Sequence, residues 1–440
     1  MTCTETIYSE QVLDYIVSSY IREETLVERY QPTCYSRIGG GGTIVYREEN
    51  RIDSQTINQF GYGTVPHVYG LMGYEALEAA GVMQIRRQPY LDFYGQGVIV
   101  GFVDTGIDFT HEAFRNADGT TRIHSIWDQT IREGGPSQFD YGRVFSEQEI
   151  NEALKQEQPS SYLPTRDDIG HGTFLAGVAA GNEIPGKEFS GIAPLSQIIV
   201  VKCKEAKNSY REYYRVPSKV PCYQENDILA GLRYLNELAR RREMPLVICM
   251  AIGTSFGGHN GDSLLAGVLD GYALLRNRCV VTGTGNEAAQ RHHYYGTFTE
   301  AQNIQTAEIR VGEGVKGFVT ELWSTLPNIV TASITSPSGE RTGQIPVRLG
   351  YLFDFVFAFE RTAVTVEYRL LQENSDAQLV FIRLQKAVPG IWKIEVKPVM
   401  QTKGEFHMWL PMKEFLDGEV YFLESNPDTT FTEPAGGGHT

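Results

Sequence analysis

The sequence predicts an α/β fold in which a parallel β-sheet carries helices on both faces, followed by an antiparallel β-domain late in the chain. Two observations lead to this prediction. From residue 91 to about residue 300, short apolar runs alternate with helical patterns, as they do in parallel sheets. From residue 301, short strands follow one another between turn residues, which is typical of a jelly roll or sandwich.

These patterns divide the 440 residues into an N-terminal region (1–90), an α/β domain (91–300) and a β-rich region that begins at residue 301. In the α/β domain, strands are predicted over 98–103, 197–202, 245–252 and 278–282. Helices are predicted there over 146–155, 174–180, 225–241 and 263–277. Strands are predicted in the β-rich region over 307–311, 317–322, 329–333, 347–351, 363–370, 379–384, 390–396 and 404–410.

The N-terminal region also carries regular patterns. Within residues 9–30, apolar side chains recur at three- and four-residue spacing, which predicts an amphipathic helix. The residues of that pattern are Val12, Leu13, Ile16, Val17 and Tyr20. A strand is predicted over 43–46, and a second helix over 75–80.

The first predicted strand of the α/β domain ends in an acidic residue. The run 98–103 is β-branched and bounded by glycine, which predicts a strand buried on both faces. Asp104 follows it directly, and Thr105-Gly106 makes a turn. Open α/β sheets place their chemistry at this end of a strand, although an isolated aspartate there can also simply cap the next element.

A second stretch places a histidine between two glycines at the start of a helix of small residues. It reads Gly170-His171-Gly172-Thr173 and continues with alanine and glycine to Gly181. A histidine at such a position can be oriented by a carboxylate, whereas a single histidine elsewhere is more often structural. The two stretches together favour a catalytic interpretation.

The two stretches resemble the aspartate and histidine motifs of the subtilisin-like serine proteases (subtilases). Residues 103–108 match the aspartate motif, Val-Asp-Thr-Gly-Ile-Asp, and His111 follows as it does in the family. Residues 171–177 match the histidine motif, His-Gly-Thr-x-x-Ala-Gly, and the aspartate precedes the histidine, as in subtilisin. The resemblance is strongest to the clostridial spore-germination branch. It implies that Asp104 and His171 are catalytic and that residues 1–90 include a propeptide and a linker. It also implies that the β-rich region is a jelly-roll insertion (301–418), after which the α/β domain resumes at 419–440.

The resemblance assigns further positions in the α/β domain. Asn286, in Gly283-Thr284-Gly285-Asn286, matches the family's oxyanion asparagine, whose amide contributes about 10²–10³ in turnover. Ile252, Gly253 and Thr254 match the substrate-binding strand, which pairs with an extended peptide. Ser255 is excluded as the nucleophile because it precedes Asn286 and lacks the residues that follow the family's serine.

The nucleophile motif is expected beyond Thr440, so we expect the printed chain to be inactive. A truncated copy of an active enzyme and a natural pseudoenzyme both remain open. The expected activity of the intact protein is serine endopeptidase action, by an Asp/His/Ser triad, on a peptide or protein such as a spore-germination zymogen. The alternative is a non-catalytic pseudoprotease that binds peptides or acts in signalling. Carbohydrate binding by the β insertion is a third, weaker hypothesis. No metal or other cofactor is expected in the chemistry.

Composition excludes some classes of partner. The net charge is 39 − 54 = −15, which gives nucleic-acid binding no electrostatic support. No apolar run approaches the length of a membrane span, and the N-terminus shows no secretory signal, which leaves location open between the cytoplasm and the spore. The six cysteines favour free thiols, with a Cys203–Cys222 disulfide as a lesser alternative. The expected partners are a protein substrate and the chain's own propeptide.

Overall fold

The computed structural model describes most of the chain. The described residues are 3–17, 21–39, 42–49, 51–52, 59–71, 93–132, 139–184, 189–370, 376–400 and 403–438. The helix predicted over 75–80 lies outside these residues.

The centre of the molecule is a six-stranded sheet with five parallel strands and one antiparallel edge strand. Two strands match their predicted bounds, and the strand predicted over 98–103 lies one residue later, so that Asp104 is its last residue. The strand predicted over 245–252 divides into two. From one edge to the other, the sheet is formed by Arg278–Thr282, Leu246–Met250, Ile99–Asp104, Gln197–Lys202, Ile123–Asp128 and Arg143–Ser146.

Helices cover both faces of this sheet, as predicted. Side chains of Ile99–Asp104 alternate between two apolar cores, with Ile99 and Val103 in one and Val100 and Phe102 in the other. The first core contains residues of the helices Glu225–Arg241 and Leu264–Ala273. The second contains residues of the helices His171–Ala180 and Glu147–Ala153. Two further helices are Pro159–Tyr162 and Asn208–Tyr214.

The N-terminal region differs from its prediction. Residues Val12–Val17 form a strand, and the helix comes later, at Glu23–Tyr30. The apolar spacing is misleading because both faces of the strand are buried, with Val12 and Ile16 in one core and Leu13 and Val17 in another. A strand buried on both faces can imitate helical spacing. The strand belongs to a three-stranded antiparallel sheet in the order Val12–Val17, Gly42–Glu48, Cys34–Gly39, and the helix Cys3–Tyr8 precedes it.

The prediction of free thiols throughout is wrong for two cysteines. Cys3 and Cys34 form a disulfide, with their Cα atoms 5.7 Å apart. They lie 31 positions apart in sequence, and only the pairing of the N-terminal sheet brings them together. Cys203 and Cys222 are both free, so the alternative pairing is also wrong.

Residues 293–422 form two antiparallel sheets that share one apolar core. The strand predicted over 347–351 is wrong. Leu349 and Tyr351 are exposed there, and Gly350 adopts a positive φ of 71°, so a turn precedes the actual strand Leu352–Val356. The first sheet has the order His293–Phe298, Gly404–Trp409, Gly317–Thr325, Ala377–Gln385, Ala363–Leu370, Leu352–Val356. The second has the order Val330–Thr335, Gly390–Pro398, Gln305–Val311, Val420–Phe422. None of the described helices is both long enough and apolar enough to cross a membrane.

Candidate active site

Asp104 and His171 meet at the carboxyl edge of the six-stranded sheet. Asp104 is the last residue of the central strand Ile99–Asp104, and His171 is the first residue of the helix His171–Ala180, which packs on that strand. Residues 67 positions apart in sequence are thereby placed side by side. Both side chains are buried, Asp104 completely and His171 to all but 6% of its surface.

The contact between them is a hydrogen bond of 2.7 Å from Nδ1 of His171 to Oδ1 of Asp104. The backbone N–H of Thr105 donates to the same oxygen at 2.7 Å, which fixes the carboxylate. Because a carboxylate only accepts hydrogen bonds, Nδ1 of His171 carries a proton, and Nε2 is the basic nitrogen of the neutral ring. This is the arrangement of a histidine that takes a proton from a nucleophile.

Two glycines make this approach possible. A Cβ atom on Gly172 would lie 2.2 Å from the carbonyl oxygen of Gly106 and 3.1 Å from Oδ1 of Asp104. The helix could not start so close to the strand end with any larger residue. Gly106 itself has a φ of +122°, a conformation that side chains disfavour. The glycines that mark the two motifs therefore allow the two chain segments to touch.

Asp167 is a site residue that the sequence analysis missed. Its Oδ1 accepts hydrogen bonds from the Thr105 hydroxyl at 2.7 Å and the Gly170 N–H at 2.8 Å. Its Oδ2 accepts from the N–H and the hydroxyl of Thr173 at 2.8 and 2.7 Å. The Thr105 hydroxyl in turn accepts from the Gly172 N–H at 2.9 Å. The carboxylate therefore joins the loop after Asp104 to the first turn of the His171 helix.

The direction of the pKa shift of Asp167 favours its charged form. Burial disfavours its charged form, but hydrogen bonds from Thr173 and Thr105 outweigh this effect and lower the pKa of Asp167. An available signal in the sequence was an acidic residue four positions before His171, in Asp167-Asp168-Ile169-Gly170.

Asn286 lies on a turn beyond the same edge of the sheet. It follows the strand Arg278–Thr282 by four residues, and Thr282 is paired in parallel with Met250, whose strand lies next to the one ending at Asp104. The Asn286 side chain is exposed. The structure thus brings Asp104 and His171 into contact and places Asn286 at the same edge.

Within the described parts of the chain, no group of three or more histidine, cysteine, aspartate or glutamate side chains is placed to hold a metal ion. The carboxylates of Asp104 and Asp167 accept hydrogen bonds from protein donors.

Beside this edge, the space between the segments Tyr223–Gln224 and Ile252–Gly253, which we call the groove, is occupied by a third segment of the chain. We call residues Val68–Leu71 the docking strand, since they form the middle strand of a small antiparallel sheet. On one side they pair with Ile252–Gly253, where Ile252 is opposite Leu71 and Gly253 is opposite Gly70. On the other side they pair with Tyr223–Gln224. The segment predicted to bind substrate therefore pairs with an extended segment of the N-terminal region.

Thr254 and Ser255 are placed differently from Ile252 and Gly253. The backbone of Thr254 exchanges two hydrogen bonds with Glu433, at 3.0 and 2.8 Å, so its main chain is paired with the C-terminal segment. Ser255 is buried, and its carbonyl oxygen lies 3.1 Å from Nε2 of His259. Of the three residues predicted to bind substrate, Ile252 and Gly253 pair with the docking strand, and the Thr254 backbone pairs elsewhere.

The family model for subtilases matches residues 95–313, which contain the sheet strand ending at Asp104, His171 and Asn286. The chain belongs to the subtilase family. Over 127 residues, it is 34% identical to subtilisin-like protease SBT2.2 of Arabidopsis thaliana, in an alignment that covers 24% of the chain and 15% of that protein. Over 279 residues, it is 25% identical to subtilisin-like protease SBT1.9 of the same plant, covering 58% of the chain and 34% of that protein.

The subtilase chain is also similar to a solved bacterial structure, that of the Clostridium perfringens CspB protease. The TM-score is 0.69 at 28% identity, and the match covers 83% of this chain and 71% of that one. The predicted subtilase fold and the predicted resemblance to a clostridial subtilase are thereby confirmed. This chain spans about a third or less of the length of the two plant relatives named above.

Proposed function

We propose that this subtilase is a serine endopeptidase in which Asp104 and His171 act as two members of a catalytic triad. The hydrogen bond of 2.7 Å between them is the observation that carries the proposal. His171 takes the proton of a serine as it attacks the peptide carbonyl and then gives that proton to the leaving amine. Asp104 holds the imidazole in the required tautomer and stabilises it when it becomes charged.

The serine and the oxyanion donor complete the proposed machinery. The serine is assigned to a Gly-Thr-Ser-x-Ala motif encoded downstream of Thr440. The amide of Asn286 is assigned to the oxyanion, since it follows a strand that ends at the same edge as Asp104. A neutral donor aimed at the developing negative charge contributes about 10²–10³ in turnover.

Residues 1–90 are proposed to be a propeptide that occupies the groove. Two contacts support this. The docking strand pairs with Ile252–Gly253, where a substrate would add as a strand. In addition, Asp14 of the N-terminal sheet is fully buried and accepts a hydrogen bond of 2.5 Å from Lys207, and others from Gln224 and Asn226. A buried charge with these partners fixes one orientation of the N-terminal region on the protease part.

Residues 301–418 are proposed to be a jelly-roll insertion that supports the protease part rather than reacting with substrate. Its contacts favour such a role. The Gly257 N–H donates a hydrogen bond of 2.9 Å to Glu321, and the ring of His259 stacks on Trp409 with a centroid separation of 4.1 Å. Both contacts join the insertion to the chain just after Ile252–Gly253.

A spore-germination zymogen is the proposed physiological substrate. The support is the similarity to the CspB protease of Clostridium perfringens together with the sequence motifs. The proposed partners are this protein substrate and the chain's own propeptide, with no role for nucleic acid or membrane.

The test uses the complete gene. We expect its sequence to encode the serine motif in frame after Thr440, and its product to cut itself between Leu71 and Val98. Mass spectrometry of the purified protein would locate this cut, and replacing the serine with alanine should abolish it. A downstream sequence without the motif, with an uncut product that still binds peptides, would favour the pseudoprotease.

A further inference from the structure

The turn that carries Asn286 is bound on one side by the C-terminal segment. The carbonyl oxygen of Thr284 accepts a hydrogen bond of 3.0 Å from the N–H of Thr432. Gly285 has a φ of +84°, and a Cβ atom on it would lie 2.6 Å from the side chain of Thr432. Only glycine permits this contact without a shift of the chain. The backbone just before Asn286 is therefore fixed by Thr432.

The residue just after Asn286 is bound on the other side. Glu287 is buried to all but 2% of its surface, although Asn286 beside it is exposed. Oε2 of Glu287 lies 2.5 Å from Nδ1 of His292. Oε1 of Glu287 accepts a hydrogen bond of 3.2 Å from the N–H of Lys413. The carboxyl group is thus bonded both to its own loop and to the β insertion.

His292 is itself held by the insertion. It is only 5% exposed, and its carbonyl oxygen accepts a hydrogen bond of 2.9 Å from the N–H of Leu410. Because the carboxylate of Glu287 only accepts hydrogen bonds, Nδ1 of His292 carries the proton of their contact. Both donors to Glu287, the His292 ring and the Lys413 backbone, are therefore placed by the insertion.

The buried carboxyl group of Glu287 costs free energy, because it has lost its hydration. An apolar side chain at this position would avoid that cost. What the carboxyl group supplies is orientation, since charge-assisted hydrogen bonds are short and directional. The backbone that follows Asn286 is therefore placed by the insertion, just as the backbone before Asn286 is placed by Thr432.

The position of this backbone matters for an oxyanion donor. Such a donor acts at about 2.7–3.1 Å from the developing oxyanion, so a displacement of its backbone weakens it. Consecutive Cα atoms are only about 3.8 Å apart. A movement of Glu287 is therefore passed directly to Asn286.

We propose that Glu287 is a positioning residue for the oxyanion donor. Together with His292 and the Lys413 backbone, it holds the turn that carries Asn286. This inference rests on the proposed function, because it takes Asn286 as the oxyanion donor. Through this contact the β insertion contributes to turnover, and not only to the support of the protease part.

The first experiment is a double-mutant cycle in the complete gene product, with kcat measured per active site titrated by a covalent serine-directed inhibitor. We expect Asn286→Ala to lower kcat by about 10²–10³. Glu287→Ala should lower kcat about 10-fold and change KM less than about twofold, since it displaces the donor and not the bound substrate. In the Asn286→Ala background, Glu287→Ala should lower kcat less than about twofold, because the donor that it positions is gone.

A merely structural role of Glu287 would give additive effects. Glu287→Ala would then lower kcat by the same factor with or without Asn286, and this result would overturn the inference. The same cycle with Glu287→Gln, which keeps the shape of the side chain, covers the case in which Glu287→Ala does not fold. It should show a loss of about threefold that disappears in the Asn286→Ala background.

Glu367→Ala is the matched control for both substitutions. It removes another buried carboxyl group of the insertion, which is paired with Arg369 in the strand Ala363–Leu370. We expect this variant to lower the melting temperature without lowering kcat per active site. A loss of kcat equal to that of Glu287→Ala would assign the effect to the stability of the insertion and would also overturn the inference.

The second experiment needs no catalysis and uses the 440-residue chain. Hydrogen exchange is measured at the backbone amide of Thr432, which bonds to Thr284 on the far side of Asn286 from Glu287. Glu287→Ala should accelerate exchange at this amide about 10-fold, because it releases the other end of the turn, and Glu367→Ala should not. Unchanged exchange at Thr432 in Glu287→Ala would contradict the positioning role.

The two experiments separate the inference from the function on which it rests. If the complete gene product cuts no peptide, the proposed function fails, and exchange at Thr432 still decides whether Glu287 holds the turn. If peptides are cut and the two substitutions are additive, the endopeptidase stands and the positioning role fails.

Discussion

Among the histidines that lie next to buried carboxyl groups, His171 and His67 form pairs of different geometry. In the first, Nδ1 of His171 lies 2.7 Å from Oδ1 of Asp104, which is also held by the Thr105 N–H. In the second, Nδ1 of His67 lies 3.7 Å from Oε2 of Glu225. Burial lowers the pKa of His67 to about 4 and raises that of Glu225 to about 7. The second pair is therefore neutral between these values.

The difference shows what makes a histidine a base. Burial alone favours the neutral forms of both partners, as in Glu225 and His67. A short hydrogen bond from fixed groups is needed to define which nitrogen of the ring carries the proton. Asp104 provides this bond because the strand end and the helix start are held together by glycines and by Asp167.

Removing the first pair should have the largest effect. In the complete gene product, His171→Ala should lower kcat/KM for peptide hydrolysis by roughly 10⁴–10⁶, because the variant lacks the base proposed to take the serine proton. His124→Ala is the matched control. In the wild-type chain, Nδ1 of His124 also pairs with a carboxylate, that of Glu147, at 2.6 Å. His124 lies near the start of the strand Ile123–Asp128, at the opposite edge of the sheet. Hydrolysis by His171→Ala at the rate of His124→Ala would remove His171 from the mechanism.

The second pair should appear in the pH dependence of stability. The native state holds the proton of Glu225 up to about pH 7, against 4.5 when unfolded, so this group lowers the free energy of unfolding as the pH rises from 4.5 to 7. In the unfolded state His67 is protonated below pH 6.5, but in the native state only below about pH 4. This group therefore raises the free energy of unfolding as the pH rises from 4 to 6.5. In the wild-type chain the two contributions oppose each other.

Single substitutions should expose each contribution. Glu225→Gln should leave the His67 slope, with stability rising by about 3 kcal/mol from pH 4 to 6.5. His67→Gln should leave the Glu225 slope, with stability falling by about 3 kcal/mol from pH 4.5 to 7. Urea unfolding at a series of pH values, with the wild-type chain alongside, measures both. Parallel profiles for the two variants would show that the pair is not neutral in the native state.

The first pair could be predicted from the sequence and the second could not. Asp104 and His171 stand at the end of a strand and the start of a helix, in patterns that few residues define. His67 meets Glu225 only because the docking strand lies between two distant segments, and the sequence gives no local sign of that pairing. The helix predicted at Val12–Val17 was wrong for a related reason, because burial on both faces removed the alternation that marks a strand. Predictions held where local patterns decide the structure.

Asp167 offers the smallest and most specific test of the comparison, because it joins the two chain segments that carry the first pair. In the complete gene product, Asp167→Asn keeps an oxygen for Thr105 or Thr173 but loses the charge and one acceptor, so hydrogen bonds on both sides cannot all persist. We expect kcat to fall about 10- to 100-fold with little change in KM, since the orientation of His171 changes and the groove does not.

A purely structural role for Asp167 would give a different result. It would lower the amount of folded enzyme and the melting temperature while leaving kcat per folded active site unchanged, which titration with a covalent serine-directed inhibitor would reveal. Asp168→Asn is the control, because the carboxylate of Asp168 is largely exposed and pairs with Arg166 at 2.6 Å and with Lys202 at 3.7 Å. A loss of kcat in Asp167→Asn that Asp168→Asn does not share would show that the short contact of Asp104 with His171 depends on a third carboxylate.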